Sequence, residues 1–282
     1  MYSSGFIKMD DLSFEKLSTF ITRQYGIKLP PVKKSMLESR LNKKVKSLGY
    51  DSYEPFLTYL FGKEGKVREL PHIVDLITTN KTDFFRESVH FDHLTKKFLP
   101  DYMCSSKHKP LKVWSAACSS GEEPYTILIT LEEFRKTNGP FAYSILASDI
   151  STRTLQAAYE GIYSSDRISM LPDHVKRSYF LKSRDPENPL VRIKPEYRKK
   201  ITYKRINLIH DFGIPDPINF DVIFCRNVLI YFDKVTQEKV INQLAKHLRP
   251  GGLLFLGHSE STMGMKVPFK QVNPTIYRYL HE

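Results

Sequence analysis

The chain has 282 residues, 41% of them hydrophobic, which is enough to bury the core of one large domain or two small ones. It contains no apolar run near ~18 residues and no continuous apolar stretch at its start, so we expect neither a membrane span nor a secretory signal. The formal net charge is +12, and the basic excess lies in residues 1–70 and 162–206, which could meet nucleic acid, an anionic membrane surface or an acidic protein.

The cysteines and histidines of the chain predict no metal centre. Cys104, Cys118 and Cys225 are an odd number without CxxC spacing, which argues against a disulfide framework or a zinc site and fits a reducing cytosol. The histidines show no ligand spacing either, so we expect no metal.

The N-terminal part of the chain has the apolar spacing of a small helical bundle, which we expect to occupy residues 1–72. Its second helix should cover about residues 32–48 and its third residues 53–61, with a loop at 62–65 before a fourth. Basic side chains lie opposite the apolar stripe of the second helix, namely Arg40, Lys43, Lys44 and Lys46. This face could dock a partner or could simply be solvated.

A polar run, TTNKTDFFRE, follows the bundle at residues 78–87. Asn80, Thr82 and Arg86 place an amide, a hydroxyl and a guanidinium within two helical turns. An arginine that reaches into a cleft can bind a carboxylate through two parallel hydrogen bonds, whereas the alternative is a solvent-facing helix end. We expect residues 73–100 to be a linker helix region that joins the bundle to the next domain and contributes to the cofactor site.

A buried strand, a loop of small residues and a helix are predicted for LKVWSAACSSGEEPYTILITL at residues 111–131. Such a unit builds the nucleotide pocket of α/β proteins at the carboxyl end of the strand. The loop contains neither GxGxxG nor GxxxxGK[ST], and the acids Glu122 and Glu123 disfavour a phosphate and suit a neutral or cationic ligand. An ordinary strand–loop–helix joint is the alternative.

Strands and helices then alternate, the pattern of a mostly parallel sheet. A second strand at 143–147 leads to Asp149, an acid placed either to accept hydrogen bonds from ribose hydroxyls or to cap the next helix, for which Ser151 is a plausible N-cap. Residues 162–206 break the alternation, and we predict an insertion there with small strands at 190–193 and 201–203.

Further candidate site residues follow the insertion. Asn207 and Leu208 stand where a loop beside an adenine ring would lie, and Arg226 and Asn227 follow the predicted strand 220–224. A charge buried at the end of a strand needs a partner, which favours a role for this arginine in the site.

The last part of the chain predicts a helix at 234–248 and strands at 253–257 and 275–280. The triplet His258-Ser259-Glu260 after the first of these strands could suggest a catalytic set. Because no GxSxG nucleophile elbow accompanies it, a hydrolase is disfavoured.

Five motifs occur in an order that resembles the CheR family of chemotaxis receptor methyltransferases: TTNKTDFFRE, VWSAACSSGEEPY, ASDIS, FCRNVLIYFD and LRPGGLLFLGHSE. The resemblance spans about residues 10–280, and GEEPY and CRNVLIYF are long and specific. It implies an N-terminal all-α domain followed by an α/β, class I S-adenosylmethionine-dependent methyltransferase (Rossmann-like) sheet. The methyltransferase domain would take residues 101–282, and the insertion at about 162–206 would be the family's small β-subdomain.

The resemblance implies that S-adenosylmethionine methylates glutamate side chains of chemoreceptors, with γ-glutamyl methyl esters and S-adenosylhomocysteine as products. By position, the residues that match the family's cofactor-binding set are Asn80, Thr82, Arg86, Glu123, Asp149, Asn207, Leu208, Arg226 and Asn227. Glu122 is a less favoured alternative to Glu123. Arg86 and Tyr231 would lie near the methyl group as the catalytic residues, and no metal is implied.

The implied partners are the cytoplasmic methylation regions of chemoreceptors, which are rich in glutamate. The face formed by Arg40, Lys43, Lys44 and Lys46 is then a plausible docking surface. In some family members the β-subdomain also binds a receptor's C-terminal peptide by adding a strand to its edge, so that tail is a further candidate partner. We expect a cytoplasmic protein with no nucleic-acid partner.

Two other interpretations are open at this point. A nucleic-acid methyltransferase would suit the charge of +12, but the chain lacks an Asn/Asp-Pro-Pro-aromatic motif and no proline precedes any of its cysteines. A cofactor-sensing module without turnover is disfavoured by the presence of Arg86 and Tyr231, and an assay of methyl transfer would decide it.

Overall fold

The N-terminal part of the protein is a bundle of helices. The structure, a computed structural model, describes residues 5–105, 109–214 and 219–280. The helices of the bundle are α1 (Asp11–Tyr25), α2 (Lys34–Ser47), α3 (Tyr53–Phe61), α4 (Lys63–Arg68) and α5 (Leu70–Ile77). Asp10 caps α1 by accepting a hydrogen bond from the amide of Ser13 at 2.8 Å, and Gly26 ends the helix with a φ of 72°. The apolar sides of the helices meet in one buried cluster that includes Leu17 and Leu41.

Two predicted boundaries of the bundle differ from the structure. The second helix begins at Lys34, after a 3₁₀ turn at Pro31–Lys33. Residues 62–65, predicted as a loop, instead lead into α4. A Cβ at Gly65 would lie 2.6 Å from the Cα of Leu60, so this glycine permits the tight packing of α4 on α3. The glycine marks a close approach of two helices and not a loop.

Short helical elements connect the bundle to the rest of the protein. They are α6 (Val89–His93), a π-helical turn (Leu94–Phe98) and α7 (Leu99–Ser105). They begin within the linker helix region expected at 73–100, although the residue pattern does not give their individual bounds. Phe91, Leu94 and Leu99 anchor them in the main hydrophobic core, which holds the preceding segment 78–87 close to the sheet.

The remainder of the chain builds an α/β domain. Its strands, in chain order, are β1 (Leu111–Ala116), β2 (Tyr143–Asp149), β3 (Ile162–Ser164), β4 (Phe180–Lys182), β5 (Leu190–Ile193), β6 (Ile201–Arg205), β7 (Phe220–Cys225), β8 (Leu248–Leu256), β9 (Phe269–Asn273) and β10 (Ile276–Tyr279). Its helices are α8 (Glu122–Asn138), α9 (Thr152–Glu160), α10 (Asp173–Tyr179), α11 (Pro195–Arg198) and α12 (Lys234–Ala245). Among the described helices, none is both long enough and apolar enough to cross a lipid bilayer.

The larger sheet has the strand order β6-β2-β1-β7-β8-β10-β9. Its first five strands are parallel, and β10 runs antiparallel to both β8 and β9. Every residue of β7 is buried, as expected for a parallel strand that is covered on both faces. The strand order reverses between β1 and β7, and ligands bind such sheets beyond the carboxyl ends of the strands at that point. The predicted α/β architecture is confirmed, and the candidate site is expected at this edge.

The inserted segment forms a separate antiparallel sheet in the order β3-β5-β4. The strand predicted at 190–193 is β5, its central strand. The strand predicted at 201–203 does not belong to the insertion, because it is part of β6, which pairs in parallel with β2 and places Ile201 opposite Ile145. The insertion therefore ends before Ile201 and not near residue 206. Short β-like runs look alike in sequence, so the pattern alone does not reveal which sheet each one joins.

The C-terminal strands are more numerous than predicted, and their bounds differ, since the strand predicted at 275–280 is the shorter β10 (Ile276–Tyr279). The strand predicted at 253–257 begins at Leu248, and the Pro-Gly-Gly turn at 250–252 lies inside β8, where the register against β7 shifts. β9 has no counterpart in the prediction, since its exposed, polar sequence lacks an apolar alternation. The outer limits predicted for the two domains, residues 1 and 282, lie outside the described residues.

Candidate active site

A cleft opens beyond the carboxyl ends of β1, β2 and β7, and the N-terminal bundle, residues 78–83 and the sheet all contribute to its lining. All the residues that the sequence singles out for cofactor binding or catalysis line it: Asn80, Thr82, Arg86, Glu123, Asp149, Asn207, Leu208, Arg226, Asn227 and Tyr231. The fold thus brings side chains from widely separated segments to one place.

Unusual backbone geometry concentrates around this cleft. Six described non-glycine residues have a positive φ, and five of them line the cleft or flank a residue that does: Phe85, Glu87, Ala117, Ser119 and Asn227. Such conformations cost of order 1–3 kcal/mol each and persist where the surrounding structure enforces them, commonly at functional sites. Their concentration supports a functional role for the cleft.

Asp149 ends β2 with a buried carboxylate that backbone amides hold in place. Its two oxygens accept hydrogen bonds from the amides of Ser119 at 2.8 Å and Ser151 at 2.9 Å. Burial raises the pKa of Asp149, and these hydrogen bonds partly counter the rise. Ser151, as predicted, is the residue that caps α9. Because each carboxylate oxygen can accept a second hydrogen bond, Asp149 can still receive the two hydroxyls of a ribose.

Arg226, just after β7, is the centre of a buried charge network. Its guanidinium lies 3.1 Å from a carboxylate oxygen of Glu123 and 3.0 Å from one of Glu87, and it also donates to the carbonyl of Arg86. Sequence reasoning misses Glu87, although it adjoins Arg86. Burial tends to raise the pKa of Glu87, but the Arg226 charge and the hydrogen bond from Asn227 outweigh it and hold that pKa below its ordinary value. The buried arginine thus has the partners that its position demands.

The two acids behind Gly121 face different ways. Glu123 lines the cleft and accepts a hydrogen bond from the hydroxyl of Ser115 at 2.7 Å, and burial raises its pKa. Glu122 is only 1% exposed and pairs with Arg167 of the insertion. This arrangement favours Glu123 over Glu122 as the residue that meets a ligand.

Glu260 holds the loop after β7 through hydrogen bonds. The sequence singles this residue out only as part of a weak catalytic triplet. Its buried carboxylate accepts hydrogen bonds from the amides of Gly257, Asn227 and Leu229 at 2.6, 2.8 and 2.8 Å, and from Ile230 at 3.4 Å. Burial raises the pKa of Glu260, and the four amides partly offset the rise. The carboxylate therefore fixes the loop that carries three of the predicted site residues.

The roof of the cleft comes from the N-terminal bundle, a contribution that sequence reasoning misses. The end of α1, the start of α2 and the chain between them line it with Tyr25, Ile27, Leu29, Lys33 and Met36. The amide of Lys28 donates to the carbonyl of Tyr231 at 2.9 Å, and the side-chain amide of Asn207 donates to the carbonyl of Gln24 at 2.8 Å. Asn207 thus ties the roof to the sheet, a role that its place in the sequence does not reveal.

Glu87, His90 and His258 gather three potential metal ligands within 4.8 Å of one another beside the cleft. The same Glu87 carboxylate binds Arg226, so a divalent cation there would meet the repulsion of a guanidinium. Burial, together with the Arg226 charge, lowers the pKa of His90 to about 3, and its Nε2 lies 2.9 Å from the hydroxyl of Thr275. The cluster is accounted for as the outer part of the Arg226 network.

The strand order, the cleft at the point where that order reverses and an acid at the end of the second strand define a class I S-adenosylmethionine-dependent methyltransferase. The residues present fit this cofactor. Asp149 keeps acceptor positions for a ribose, and Glu123 in a cleft without a phosphate-binding loop suits a ligand that carries positive charge. The chain belongs to the CheR methyltransferase family, since residues 12–78 match its all-alpha domain and residues 80–278 its SAM-binding domain.

Several curated relatives are similar over almost their whole length. The chain is 38% identical to a chemotaxis protein methyltransferase of Borreliella burgdorferi, across 96% of this chain and 95% of that one. It is 35% identical to a chemotaxis protein methyltransferase of Salmonella typhimurium, across 96% and 91% of the two chains. It is 37% identical to chemotaxis protein methyltransferase 2 of Pseudomonas aeruginosa, across 94% and 91%. The resemblance inferred from the motifs is confirmed, and the nucleic-acid alternative is not favoured.

Proposed function

We propose that this protein transfers the methyl group of S-adenosylmethionine to glutamate side chains of chemoreceptors and forms γ-glutamyl methyl esters. The observation that carries the proposal is a cleft at the point where the strand order reverses, with a ribose-type acid and a buried arginine network, in a chain of the CheR family. The names of its relatives support a chemotaxis protein as the substrate. We also propose that it acts in the cytoplasm, which its three free cysteines support.

The acceptor in this reaction needs no base from the protein. A glutamate carboxyl with an ordinary pKa near ~4.3 is already ionised at neutral pH. Bound S-adenosylmethionine supplies an electrophilic methyl group on a sulfonium. The protein has to hold the carboxylate in line and exclude water, and effective molarities of ~10⁵ M or more indicate how much positioning alone can contribute. The helical roof serves the second purpose.

The cleft residues divide between the two ends of the cofactor. We assign the ribose hydroxyls to Asp149 and the methyl end to Arg86 and Tyr231. The other cofactor contacts that we propose are Asn80, Thr82, Glu123, Asn207, Leu208, Arg226 and Asn227. Most of these side chains already have a protein partner, so the cofactor would meet groups that are held in position before it binds.

We expect Arg86→Ala to lower kcat about 10²-fold and Tyr231→Phe to lower it about tenfold. Arg86 uses one N–H group to bind the carbonyl of Lys81 at 2.9 Å, which leaves others free to orient a carboxylate. The hydroxyl of Tyr231 lies 3.5 Å from the carbonyl of Thr79 in the lining of the cleft, and we propose that this side chain shapes the path of the methyl group. Steady-state kinetics with receptor-containing membranes measures both effects, and full turnover in both variants would refute the assignment.

The proposed activity is tested with methyl-labelled S-adenosylmethionine and receptor-containing membranes, followed by mild base. A carboxyl methyl ester releases volatile label as methanol. Label that stays on the protein after base, or that moves to nucleic acid, would contradict the proposal. Cofactor binding without transfer to any of several chemoreceptors would instead support a sensing module.

The proposed docking face on α2 contains two lysines that are free to meet a partner. The side chains of Lys43 and Lys46 have no hydrogen-bond or ion-pair partner within the described part of the chain. Lys44 pairs with Glu69 at 2.6 Å, and Arg40 donates to backbone carbonyls at the end of α5. We therefore place the docking charge of this face mainly on the two free lysines, opposite the acidic methylation region of a receptor.

We expect the double variant Lys43→Glu/Lys46→Glu to raise the KM for receptor about tenfold at low salt, because reversed charges repel an acidic helix. The effect should shrink as salt is added. The Kd for S-adenosylhomocysteine should not change. The control variant is Lys234→Glu/Lys246→Glu, which reverses the same number of charges at the two ends of α12. An equal rise in the KM for receptor with this control would contradict a specific docking face on α2.

We propose that the small sheet of the insertion accepts a receptor's C-terminal peptide as an added strand. In the order β3-β5-β4 the two outer strands each pair on one side only within the described residues, which leaves edges of the kind used in strand addition. Residues 162–200, which form the insertion, carry 10 basic and 5 acidic residues, which suits an acidic tail. Calorimetry with receptor tail peptides tests this, and the absence of binding by every tail that ends a methylated receptor would exclude it.

A further inference from the structure

A segment without regular secondary structure crosses the cofactor cleft between the bundle and the sheet. α5 ends at Ile77, and residues 78–83, which we call the strap, all line the cleft. A strap of this kind cannot satisfy its own carbonyl groups as a helix or a sheet does. The partners of those carbonyls therefore reveal what holds the strap in place.

Arg40 of α2 donates hydrogen bonds to the carbonyls at the start of the strap. Its guanidinium donates to the carbonyls of Leu76, Ile77 and Thr78 at 3.3, 2.8 and 3.2 Å. One side chain thus binds the open end of α5 and the start of the strap together. All three hydrogen bonds come from one nitrogen, Nη1, so its N–H groups are shared among the three carbonyls.

Near the far end of the strap, Arg167 of the insertion donates a hydrogen bond to the carbonyl of Thr82. Its guanidinium also pairs with the carboxylate of Asp83 at 2.9 Å and binds Glu122 at the start of α8. Glu122 is 1% exposed, so this pairing has a buried anchor at the start of α8 in the methyltransferase domain. Arg167 therefore clamps the far end of the strap between the insertion and the sheet.

The carbonyls between these two ends are paired as well. Those of Thr79, Asn80 and Lys81 accept hydrogen bonds at 3.5, 3.1 and 2.9 Å. The donors are the hydroxyls of Tyr231 and Ser119 and the guanidinium of Arg86. Every backbone carbonyl from residue 76 to residue 82 thus has a side-chain donor, and the two arginines outside the cleft hold the two ends.

We infer that Arg40 and Arg167 are positioning residues that hold the strap over the cofactor, one from the N-terminal bundle and one from the insertion. This inference rests on the proposed function, because it takes the cleft to be the cofactor site. Cofactor affinity then depends on both flanking units, since a strap that is closed for only a fraction of the time weakens the apparent affinity by that fraction. We therefore assign Arg40 to holding the strap and not to docking the receptor.

The test is calorimetric titration of S-adenosylhomocysteine into the full-length protein and its variants. Arg40→Gln and Arg167→Gln should each weaken the Kd at least about tenfold while one site per molecule is kept, and the KM for receptor at saturating cofactor should stay unchanged. Arg40→Lys should recover part of the affinity, because an ammonium can reach some of the three carbonyls. Arg68→Gln in the bundle and Arg184→Gln in the insertion remove exposed arginines away from the strap and should bind as the wild type does.

Two results would overturn the inference. One is an unchanged Kd in both variants. The other is a fall in the number of sites at an unchanged Kd, which would mean that the arginines only support folding. If Arg40→Gln raised the KM for receptor and left cofactor affinity normal, Arg40 would belong to the receptor docking face and not to the strap. A wild-type protein that fails to bind S-adenosylhomocysteine would overturn the proposed function itself, and this outcome is distinct from the others.

Discussion

Replacing Arg226 with methionine is expected to lower the free energy of unfolding by about 3–5 kcal/mol and to weaken cofactor binding by at least about 10²-fold. The Arg226 side chain is 2% exposed, and its removal would leave the carboxylates of Glu87 and Glu123 buried without a counter-charge. For a chain of this size the loss corresponds to a fall in Tm of roughly 10 °C. Thermal unfolding and calorimetric titration measure the two effects.

A matched set of variants separates the charge network from simple loss of packing. Arg68→Met breaks an exposed ion pair with Glu64 and should change stability by less than about 1 kcal/mol. Adding Glu87→Gln and Glu123→Gln to Arg226→Met removes the uncompensated charges, so part of the stability should return while cofactor affinity stays low. No recovery in the triple variant would contradict the electrostatic explanation.

The effect of Arg226→Met should also depend on pH. Arg226 holds the pKa of Glu87 below its ordinary value, so the stabilisation is present above the unfolded-state pKa and is lost as pH falls through the lower folded-state pKa. The stability gap between the wild type and the variant should therefore narrow as pH is lowered from 7 towards 3. A gap that stays constant over this range would mean that the Glu87 carboxylate is not the group left unpaired.

Replacing Glu260 with glutamine is expected to lower kcat/KM about 10²-fold and the free energy of unfolding by roughly 2–4 kcal/mol. The carboxylate accepts hydrogen bonds from four backbone amides, two on each oxygen. A glutamine would turn an NH₂ group towards two of these N–H donors and leave them unsatisfied. The loop that carries Arg226, Asn227 and Tyr231 would then shift, and a displacement of about 1 Å near the reacting atoms has a cost of this size.

The matched control for this prediction is Glu238→Gln. Glu238 also accepts a backbone hydrogen bond, from the amide of Lys266 at 3.0 Å, but at the surface, so stability should change by less than about 0.5 kcal/mol. Kinetics and thermal unfolding of the two variants test the role of Glu260. If Glu260→Gln kept normal turnover, the loop would have to be held by other contacts.

Much of the cofactor cleft could be predicted because its residues follow from local patterns. Glu123, Asp149 and Arg226 each lie at or just beyond the end of a strand or of its loop, and parallel strands bring their carboxyl ends to one edge of a sheet. The alternation of strands and helices predicts that sheet without any long-range information. The long motifs indicated the family, and the family in turn implied which individual residues contact the cofactor.

Sequence by itself determined the class of the protein, the order of its domains and the residues of the cleft floor, because these depend on local elements and on the rule that parallel strands converge. Only the tertiary structure decided that Arg40 binds the carbonyl of Ile77, that Arg167 reaches Thr82 and that β6 joins the larger sheet. Arg167 and Thr82 lie 85 positions apart. An arginine on a helix surface has the same local pattern whether it is solvated or paired, so its partner follows from how whole domains pack and not from its neighbours in the chain.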